Sequence, residues 1–243
     1  MLNSLSLFWR RFCAASLLAT LSLSAAPKDP FKQLDDLWPT PDAARRASGA
    51  PGPGYWQQRA DYVIDVELDE AKHRITGRET ITYHNRSQDT LDYLWLQLDQ
   101  NLLDPKMIAA QSRTAPGFSG LSFKKLDAML LQRKFDGGHK ITAVKDAAGK
   151  PLKHVVVQTM MRVIPPTPLK PGKSITFSVE WNYNINDTAK ISGRTGYEYF
   201  KEDKNHLYAI AQWFPRMCAY TDVTGWQNKQ YLGTGEFALE FGD

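Results

Sequence analysis

The segment 175–183 alternates strictly between apolar and polar side chains, and this alternation constrains the fold more than any other feature of the sequence. The apolar residues are Ile175, Phe177, Val179, Trp181 and Tyr183. Successive side chains of a β-strand point to opposite faces of its sheet, whereas a helix would scatter these residues around its circumference. The segment is therefore predicted to be a strand with one buried face.

Shorter alternating segments precede this one, and turn sequences separate them. Residues 62–68 and 75–83 predict the two strands of a hairpin, with Asp69 and Glu70 in the turn. A further strand is predicted at 155–157. Another alternating set predicts a strand that is covered on both faces, since both faces carry large side chains. Its members are Leu94, Leu96 and Leu98 on one face, with Tyr93 and Trp95 on the other.

Glycine and proline mark the ends of these segments, as in Asp136-Gly137-Gly138 and in the proline-rich stretch 165–172. Short helices are predicted at 105–111 and 124–133, as connections between strands and not as layers of the fold. Many short strands with frequent turns favour an all-β fold. The predicted architecture is a large antiparallel β-sandwich with one or two short helices.

The first 26 residues differ in kind from the rest of the chain. Arg10 and Arg11 precede an apolar run at 12–23 and three small residues. This pattern predicts a cleavable signal peptide at 1–26, because about a dozen apolar residues are too few to span a membrane. The mature protein is then exported, to the periplasm or outside the cell. The alternative is an uncleaved leader that anchors the protein in the membrane.

Residues 27–54 are rich in proline, alanine, glycine and charge, which is typical of a linker. One short helical turn is predicted within it, near 42–46. The folded domain is predicted to occupy 55–243. Of the two cysteines, Cys13 lies in the leader, so no internal disulfide is expected and Cys218 is predicted to be a buried, unreactive thiol.

Charge and composition exclude some classes of function. The chain has 30 basic and 26 acidic residues, scattered among each other, with a net charge of +4. No basic run alternates with stacking aromatic residues, so a nucleic acid is not expected as a partner. Hydrophobic residues make up 42% and aromatic residues 12% of the chain, which is enough for an ordinary globular core.

Motifs that carry catalysis are missing from the sequence. It contains no His-Glu-x-x-His, no Gly-x-Ser-x-Gly, no phosphate-binding loop and no dinucleotide-binding Gly-x-Gly-x-x-Gly. The histidines stand far apart, so satisfied surface or core positions are expected for them and no metal site is predicted. They are His73, His84, His139, His154 and His206.

Two other groups of polar residues are candidate sites. Glu198, Glu202 and Asp203 cluster next to tyrosines, and a solvated loop is the favoured interpretation. Asn85 and Asn186 begin short glycosylation-type sequences, which are common enough to arise by chance.

Eight short segments follow one another in order over roughly residues 55–243. They are Tyr62-Val-Ile-Asp-Val-Glu-Leu-Asp, Ile75-Thr-Gly-Arg-Glu-Thr-Ile-Thr-Tyr-His-Asn85, residues 91–98, Leu169-Lys-Pro-Gly172, Trp181-Asn-Tyr-Asn-Ile-Asn-Asp187, Gly193-Arg-Thr-Gly-Tyr-Glu198, Ala211-Gln-Trp-Phe-Pro-Arg216 and Gly235-Glu-Phe-Ala-Leu-Glu-Phe241. In this order they resemble the amino-terminal domain of the aminopeptidase N-like (gluzincin) zinc metallopeptidases.

That resemblance implies a saddle-like β-sandwich that packs on a thermolysin-like catalytic domain holding the zinc ion. The catalytic histidines and glutamates of the family lie beyond these segments, so the resemblance implies a peptidase lineage but no catalytic or zinc-binding residue in this chain. Residues 236–241 form an apolar-faced strand that needs a neighbour, and the chain is therefore expected to be a fragment of a longer protein. The implied partners are a catalytic domain and a peptide substrate.

The resemblance implies one substrate-binding residue, Gln212, because the family places a glutamine of this segment near the pocket for the first side chain of the substrate. An amide oxygen can accept a hydrogen bond from a peptide ammonium without burying a second charge. Some relatives have an acid two residues later, where this chain has Phe214. The alternative is that Gln212 is a strand residue bonded only to backbone.

Aromatic residues near Gln212 have two interpretations. Trp213, Phe214 and Tyr220 either line a pocket wall or fill the sandwich, and core packing is expected for at least two of them.

The predicted function is thus a non-catalytic docking and substrate-entrance domain of a zinc aminopeptidase-like protein. The alternative is a free-standing exported β-sandwich that binds a protein or a glycan, which the aromatic residues at 197–208 favour. In isolation the domain is predicted to be marginally stable, because its docking face and final strand would expose apolar surface.

Overall fold

Antiparallel strands make up most of the regular secondary structure of the described chain, which comprises residues 41–107, 122–191, 193–233 and 239–240 of a computed structural model. The strands are β1 (Arg59–Asp69), β2 (Arg74–His84), β3 (Leu94–Gln97), β4 (Lys140–Asp146), β5 (Lys153–Val157), β6 (Met160–Ile164), β7 (Ser174–Asn184), β8 (Thr195–Phe200), β9 (Asn205–Ile210), β10 (Arg216–Met217), β11 (Tyr220–Thr221) and β12 (Gly225–Trp226). A 3₁₀ helix (Asp99–Leu103) and an α-helix, α1 (Phe123–Lys134), accompany them. The predicted all-β class is confirmed.

Two four-stranded sheets pack face to face. The first has the order β1-β2-β7-β4 and the second the order β10-β3-β6-β5. Two smaller hairpins, β8-β9 and β11-β12, complete the strand pairing of the described residues. The predicted hairpin at 62–83 is confirmed, since β1 pairs with β2 over the full length of both strands.

The alternating face of β7 forms the centre of the core. Phe177, Val179, Trp181 and Tyr183 are each at most 1% exposed. Gly77 lies opposite Trp181 on β2, and a Cβ atom built on it would come within 2.3 Å of the indole ring. Glycine is therefore required at this position, because any side chain would displace the largest residue of the core.

One end of β1 extends beyond the second sheet. Val66 and Leu68 are on the core-facing side of β1, as the alternation predicts, but they are 50% and 39% exposed. The alternation thus assigns the face correctly, while exposure depends on whether the opposite sheet reaches it.

In the second sheet, β3 is fully covered on its inner face and only partly covered on its outer face. Leu94 and Leu96 are fully buried against the first sheet. On the outer face Trp95 is half-buried and Tyr93 is 40% exposed. The prediction that this strand is covered on both faces is therefore wrong for Tyr93, which remains 40% exposed.

The predicted helix at 124–133 is confirmed as α1. The Ser122 hydroxyl accepts a hydrogen bond from the Lys125 amide at 3.3 Å and caps its first turn. None of its residues is buried, and Phe123 is 88% exposed. Of the helix predicted at 105–111, only residues 105–107 are described, and 105 and 106 form a turn.

Part of the predicted linker makes contacts in the structure. No helical turn forms at 42–46, where an isolated bridge joins Arg45 to Pro51 instead. The Arg45 guanidinium donates two hydrogen bonds of 2.8 Å to the carboxylate of Asp222. The predicted signal peptide and residues 27–40 lie outside the described residues.

Cys218 is completely buried and pairs with Leu239 in an isolated bridge, while most of the strand predicted at 236–241 lies outside the described residues. Burial raises the pKa of the Cys218 thiol well above its usual range, which makes it unreactive. No helix of the described residues has the length and apolar character needed to cross a membrane.

Candidate functional site

Gln212 lies in a turn between β9 and β10 and not in a strand. Its φ angle is +54°, in the left-handed region that residues other than glycine rarely adopt. Such a conformation persists only where the surrounding structure enforces it, and it is frequent at functional sites. Gln212 is half-exposed, and its side-chain amide makes no hydrogen bond with the described residues.

The 3₁₀ helix lies beneath this turn and holds it through buried Gln100. The Gln100 amide donates to the carbonyl of Ala211 at 2.7 Å and more weakly to that of Gln212 at 3.4 Å. It also approaches the Thr195 hydroxyl at 3.5 Å. The backbone of the turn is therefore bonded from inside the protein, while the Gln212 side chain is left available.

The residues flanking Gln100 bond to other loops. Asp99 is buried and pairs with the Arg216 guanidinium, which follows the Gln212 turn in the chain. Burial raises the pKa of the Asp99 carboxyl, and the nearby Arg216 opposes that shift. Asn101 donates to the Gln158 carbonyl and accepts from the His139 amide, each at 2.7 Å.

Trp213, Phe214 and Tyr220 pack against the margin of the core, and all three are partly exposed. The ring centres of Trp213 and Trp181 lie 6.0 Å apart. The backbone carbonyl of Trp213 accepts a hydrogen bond from the Tyr183 hydroxyl at 3.0 Å. Phe214 meets Tyr62 edge to face at 5.5 Å. These contacts give Trp213 and Phe214 the core packing that was expected, and leave one side of each ring toward solvent.

Tyr220 belongs to a separate contact region, where its hydroxyl donates to the Asp89 carboxylate at 2.8 Å. Its ring also packs on Trp226 at 5.1 Å. It therefore does not extend the wall formed by Trp213 and Phe214.

Two of the histidines meet on the β8-β9 hairpin. His73, in the β1-β2 turn, stacks on Tyr197 at 3.8 Å and hydrogen bonds to the Tyr208 hydroxyl at 2.8 Å. Its ring lies 4.9 Å from that of His206. Burial and the neighbouring His206 lower the pKa of His73, so the neutral ring is favoured.

The other histidines lie apart from this pair. His139 is buried against Trp181 and Tyr183, and burial lowers its pKa to about 3. His84 bonds to Asp61, and His154 bonds to a backbone carbonyl. No three histidine, cysteine or acidic residues of the described chain are placed to hold a metal ion.

The remaining polar residues singled out in the sequence do not join the Gln212 turn. Glu198, Glu202 and Asp203 are exposed on the β8-β9 hairpin. Asn85 and Asn186 are at most 1% exposed, and both donate hydrogen bonds to backbone carbonyls. A glycan could not reach either side chain in this fold.

Sequence reasoning missed the run Asp99-Gln100-Asn101. A signal was available, since three polar residues in succession stand between Leu98 and Leu102 where burial would be expected. Their partners, however, are 38 to 117 residues away in the chain, and no local pattern indicates such contacts.

The antiparallel sheets of the chain resemble part of the M1 zinc metallopeptidases. No family model and no curated protein sequence matches the chain.

Among solved structures, it is similar to a mutant M1 zinc metallopeptidase from Deinococcus radiodurans, with a TM-score of 0.35 and 12% identity over 72% of this chain and 29% of that one. The mutant bound to the substrate Tyr-Ser-Ala gives a TM-score of 0.33 and 12% identity over 54% of this chain and 21% of that one. A two-domain M1 zinc metallopeptidase mutant bound to L-tryptophan gives a TM-score of 0.33 and 13% identity over 56% of this chain and 23% of that one. This chain thus spans less than a third of the length of these proteins.

Proposed function

We propose that this chain is the non-catalytic front domain of a zinc-dependent aminopeptidase-like protein. It docks on a catalytic domain and shapes the entrance for the amino terminus of a peptide substrate. The ordered segments of the sequence, from Tyr62 to Phe241, support this proposal. It is consistent with the partial likeness in fold to M1 zinc metallopeptidases, although that likeness by itself assigns no activity.

The Gln212 turn is the single observation that carries the proposal. An exopeptidase must recognise a free ammonium group, and the side-chain oxygen of a held glutamine can accept a hydrogen bond from it. Here the backbone is fixed at φ +54° while the side-chain amide is unbonded among the described residues. A group held in this way loses little freedom on binding, which favours recognition.

The outer face of the second sheet is the proposed docking surface. Val155 and Val157 are 48% and 52% exposed on β5, and Ile164 is 38% exposed on β6. The Arg162 guanidinium lies 5.8 Å from the Tyr93 ring centre on the same face. Contiguous apolar and aromatic surface of this kind is typical of an interface between domains. Exposing it also explains why marginal stability is expected for the isolated domain.

Zinc belongs, in this proposal, to the partner domain. A catalytic zinc ion takes three protein ligands, commonly histidines with a glutamate. The described residues offer no such set, and the nearest pair, His73 and His206, has no third ligand among them. The described residues therefore do not fit a zinc site, and in this proposal the chain contributes by binding and orienting the substrate.

The expressed chain should not hydrolyse aminoacyl reporter substrates, with or without added zinc. Robust turnover would contradict the division of labour between the two domains.

The gene should also be read past the codon for Asp243 in its natural context. A continuing frame that encodes His-Glu-x-x-His is the expected result, and a stop codon would favour a free-standing module.

If the longer protein is found, Gln212→Ala in it should raise KM for peptides by about tenfold and leave kcat nearly unchanged, since the contact is to the bound ammonium. Gln57→Ala is the matched control, because Gln57 is exposed and bonds only to the neighbouring Tyr55 hydroxyl at 3.0 Å. An equal effect of both variants would remove Gln212 from the site.

Export by a signal peptide at 1–26 is part of the same proposal. Amino-terminal sequencing of the protein purified from its natural compartment tests it. A mature terminus near Pro27 is expected, and an intact Met1 in a membrane fraction would support the anchored alternative.

A second candidate is an exported binding module for a protein or a glycan. It is favoured by the β8-β9 hairpin, where Tyr199, Phe200 and Leu207 are 48%, 39% and 54% exposed. Exposed aromatic side chains are a common feature of binding surfaces. Glycan and protein arrays probed with the chain and with Tyr199→Ala would test it, and binding lost in the variant would support the module.

A further inference from the structure

We propose that Gln100 is the positioning residue that holds Gln212 in its left-handed conformation. Its meaning for substrate binding rests on the proposed function, whereas the conformational role stands on the geometry alone. Gln100 is 4% exposed and lies on the 3₁₀ helix, 112 residues before Gln212 in the chain. Its side chain reaches the turn from the interior, on the side away from solvent.

The bonds of Gln100 go to the two carbonyls that define the turn. Its amide nitrogen lies 2.7 Å from the Ala211 oxygen and 3.4 Å from the Gln212 oxygen. These carbonyls lie on either side of the N–Cα bond of Gln212, and rotation about that bond is φ of Gln212. If the donor were absent, both carbonyls would lose a buried partner, and the turn could relax toward a conformation with negative φ.

The neighbour of Gln100 fixes the other end of the same segment. Asp99 pairs with Arg216, four residues beyond Gln212, and its side chain is only 3% exposed. Two consecutive residues of one helix therefore hold the segment on both sides of Trp213. Because the backbone is held at both ends, the Gln212 side chain projects from a fixed base.

Asn101 provides a matched comparison on the same helix. It is as buried as Gln100, at 4%, and its amide also donates to the carbonyl of a left-handed residue, Gln158 with φ +55°. Gln100 and Asn101 thus each donate a hydrogen bond to the carbonyl of a left-handed residue, in two different turns. Only Gln100 is bonded to the turn that carries Gln212.

The test compares Gln100→Met with Asn101→Leu in the full chain, using isotope-labelled glutamine. A left-handed residue gives a strong NOE between its amide proton and its Hα, because these atoms are closer than at negative φ. This NOE of Gln212 should weaken severalfold in Gln100→Met and stay strong in Asn101→Leu, although both variants lose stability. An unchanged NOE in folded Gln100→Met would overturn the proposal.

Substitution by glycine provides a second measurement that does not depend on ligand binding. Gln212→Gly should raise the melting temperature less in the Gln100→Met background than in the wild type, because glycine adopts positive φ without strain and the variant has already relieved that strain by relaxing. Equal gains in both backgrounds would mean that Gln100 does not control this conformation.

A binding assay with leucinamide, with N-acetyl-leucinamide as the control, links the conformation to the proposed function. The wild type should prefer the free amine, and Gln100→Met should weaken its binding by about tenfold or more. If the wild type binds neither probe, the proposed function fails while the NOE result still decides the role of Gln100. Full affinity in a variant whose NOE has weakened would overturn the link between the conformation and substrate binding.

Discussion

The sheet built around β7 and the region around the 3₁₀ helix bury polar side chains in opposite ways. Glu79 lies on the core face of β2, is fully buried, and neither of its carboxylate oxygens has a hydrogen-bond partner among the described residues. Asp99 is nearly as buried, yet it pairs with Arg216. The regular sheet tolerates one unpaired acid within an apolar core, whereas the irregular region is held together by its polar contacts.

This difference shows that the two regions derive their stability from different interactions. In the sheet, long strands in full register satisfy the backbone, and burial of large apolar side chains dominates. Around the 3₁₀ helix, few side chains are large and apolar, so the loops are fixed by the hydrogen bonds of Asp99, Gln100 and Asn101. Replacing a buried charged side chain should therefore increase the free energy of unfolding in the sheet and decrease it around the 3₁₀ helix.

The largest loss is expected from Trp181→Ala, at the centre of the apolar sheet. It removes the largest fully buried side chain and leaves a cavity over Gly77, which should cost about 4 kcal/mol of the free energy of unfolding. Urea denaturation measures it. Val63→Ala on β1 is the control, because Val63 is 68% exposed and should change stability by less than about 0.5 kcal/mol. Similar losses in both variants would mean that this core is not tightly packed.

Arg216→Met should cost somewhat less, about 3 kcal/mol, because it leaves the Asp99 carboxylate buried without its partner. The loss should shrink at low pH, where Asp99 becomes protonated. Lys72→Met is the control, since Lys72 pairs with Asp69 at the surface and should contribute less than about 1 kcal/mol. If urea denaturation shows an equally small loss in the free energy of unfolding for both variants, the ion pair does not stabilise this region.

The smallest effect, and the one of opposite sign, is expected from Glu79→Leu, which should increase the free energy of unfolding by about 2 kcal/mol at pH 8. Burial raises the pKa of Glu79 well above its usual 4.5, so the folded state keeps a proton that the unfolded state releases. Stability of the wild type should therefore fall as pH rises from about 4.5 to the raised pKa.

Denaturation of the wild type and Glu79→Leu across this pH range checks the slope, which the variant should lack. Exposed Glu67, replaced in the same way, is the control and should bring no comparable gain. A loss of stability in Glu79→Leu at pH 8 would show that the buried carboxyl has a stabilising partner.

The sheet could be predicted from the sequence to a large extent, and the candidate site only in one residue. The period of two in β7 identifies both the strand and its buried face, because that information is local to nine residues. Gln212 was found through a resemblance, but its turn and its left-handed backbone were not. Gln100 was missed entirely, since its contacts join residues more than a hundred positions apart.

By itself, the sequence determined the fold class, the hairpin of β1 and β2, the helix α1 and the face that each long strand buries. These depend on periodicity and on turn residues, which act over a few neighbours. Only the tertiary structure decided that Val66 and Tyr93 are exposed, that Glu79 has no hydrogen-bond partner among the described residues, and that Gln100 lies under Gln212. Such properties depend on which distant segment covers a residue, and a linear pattern does not contain that information.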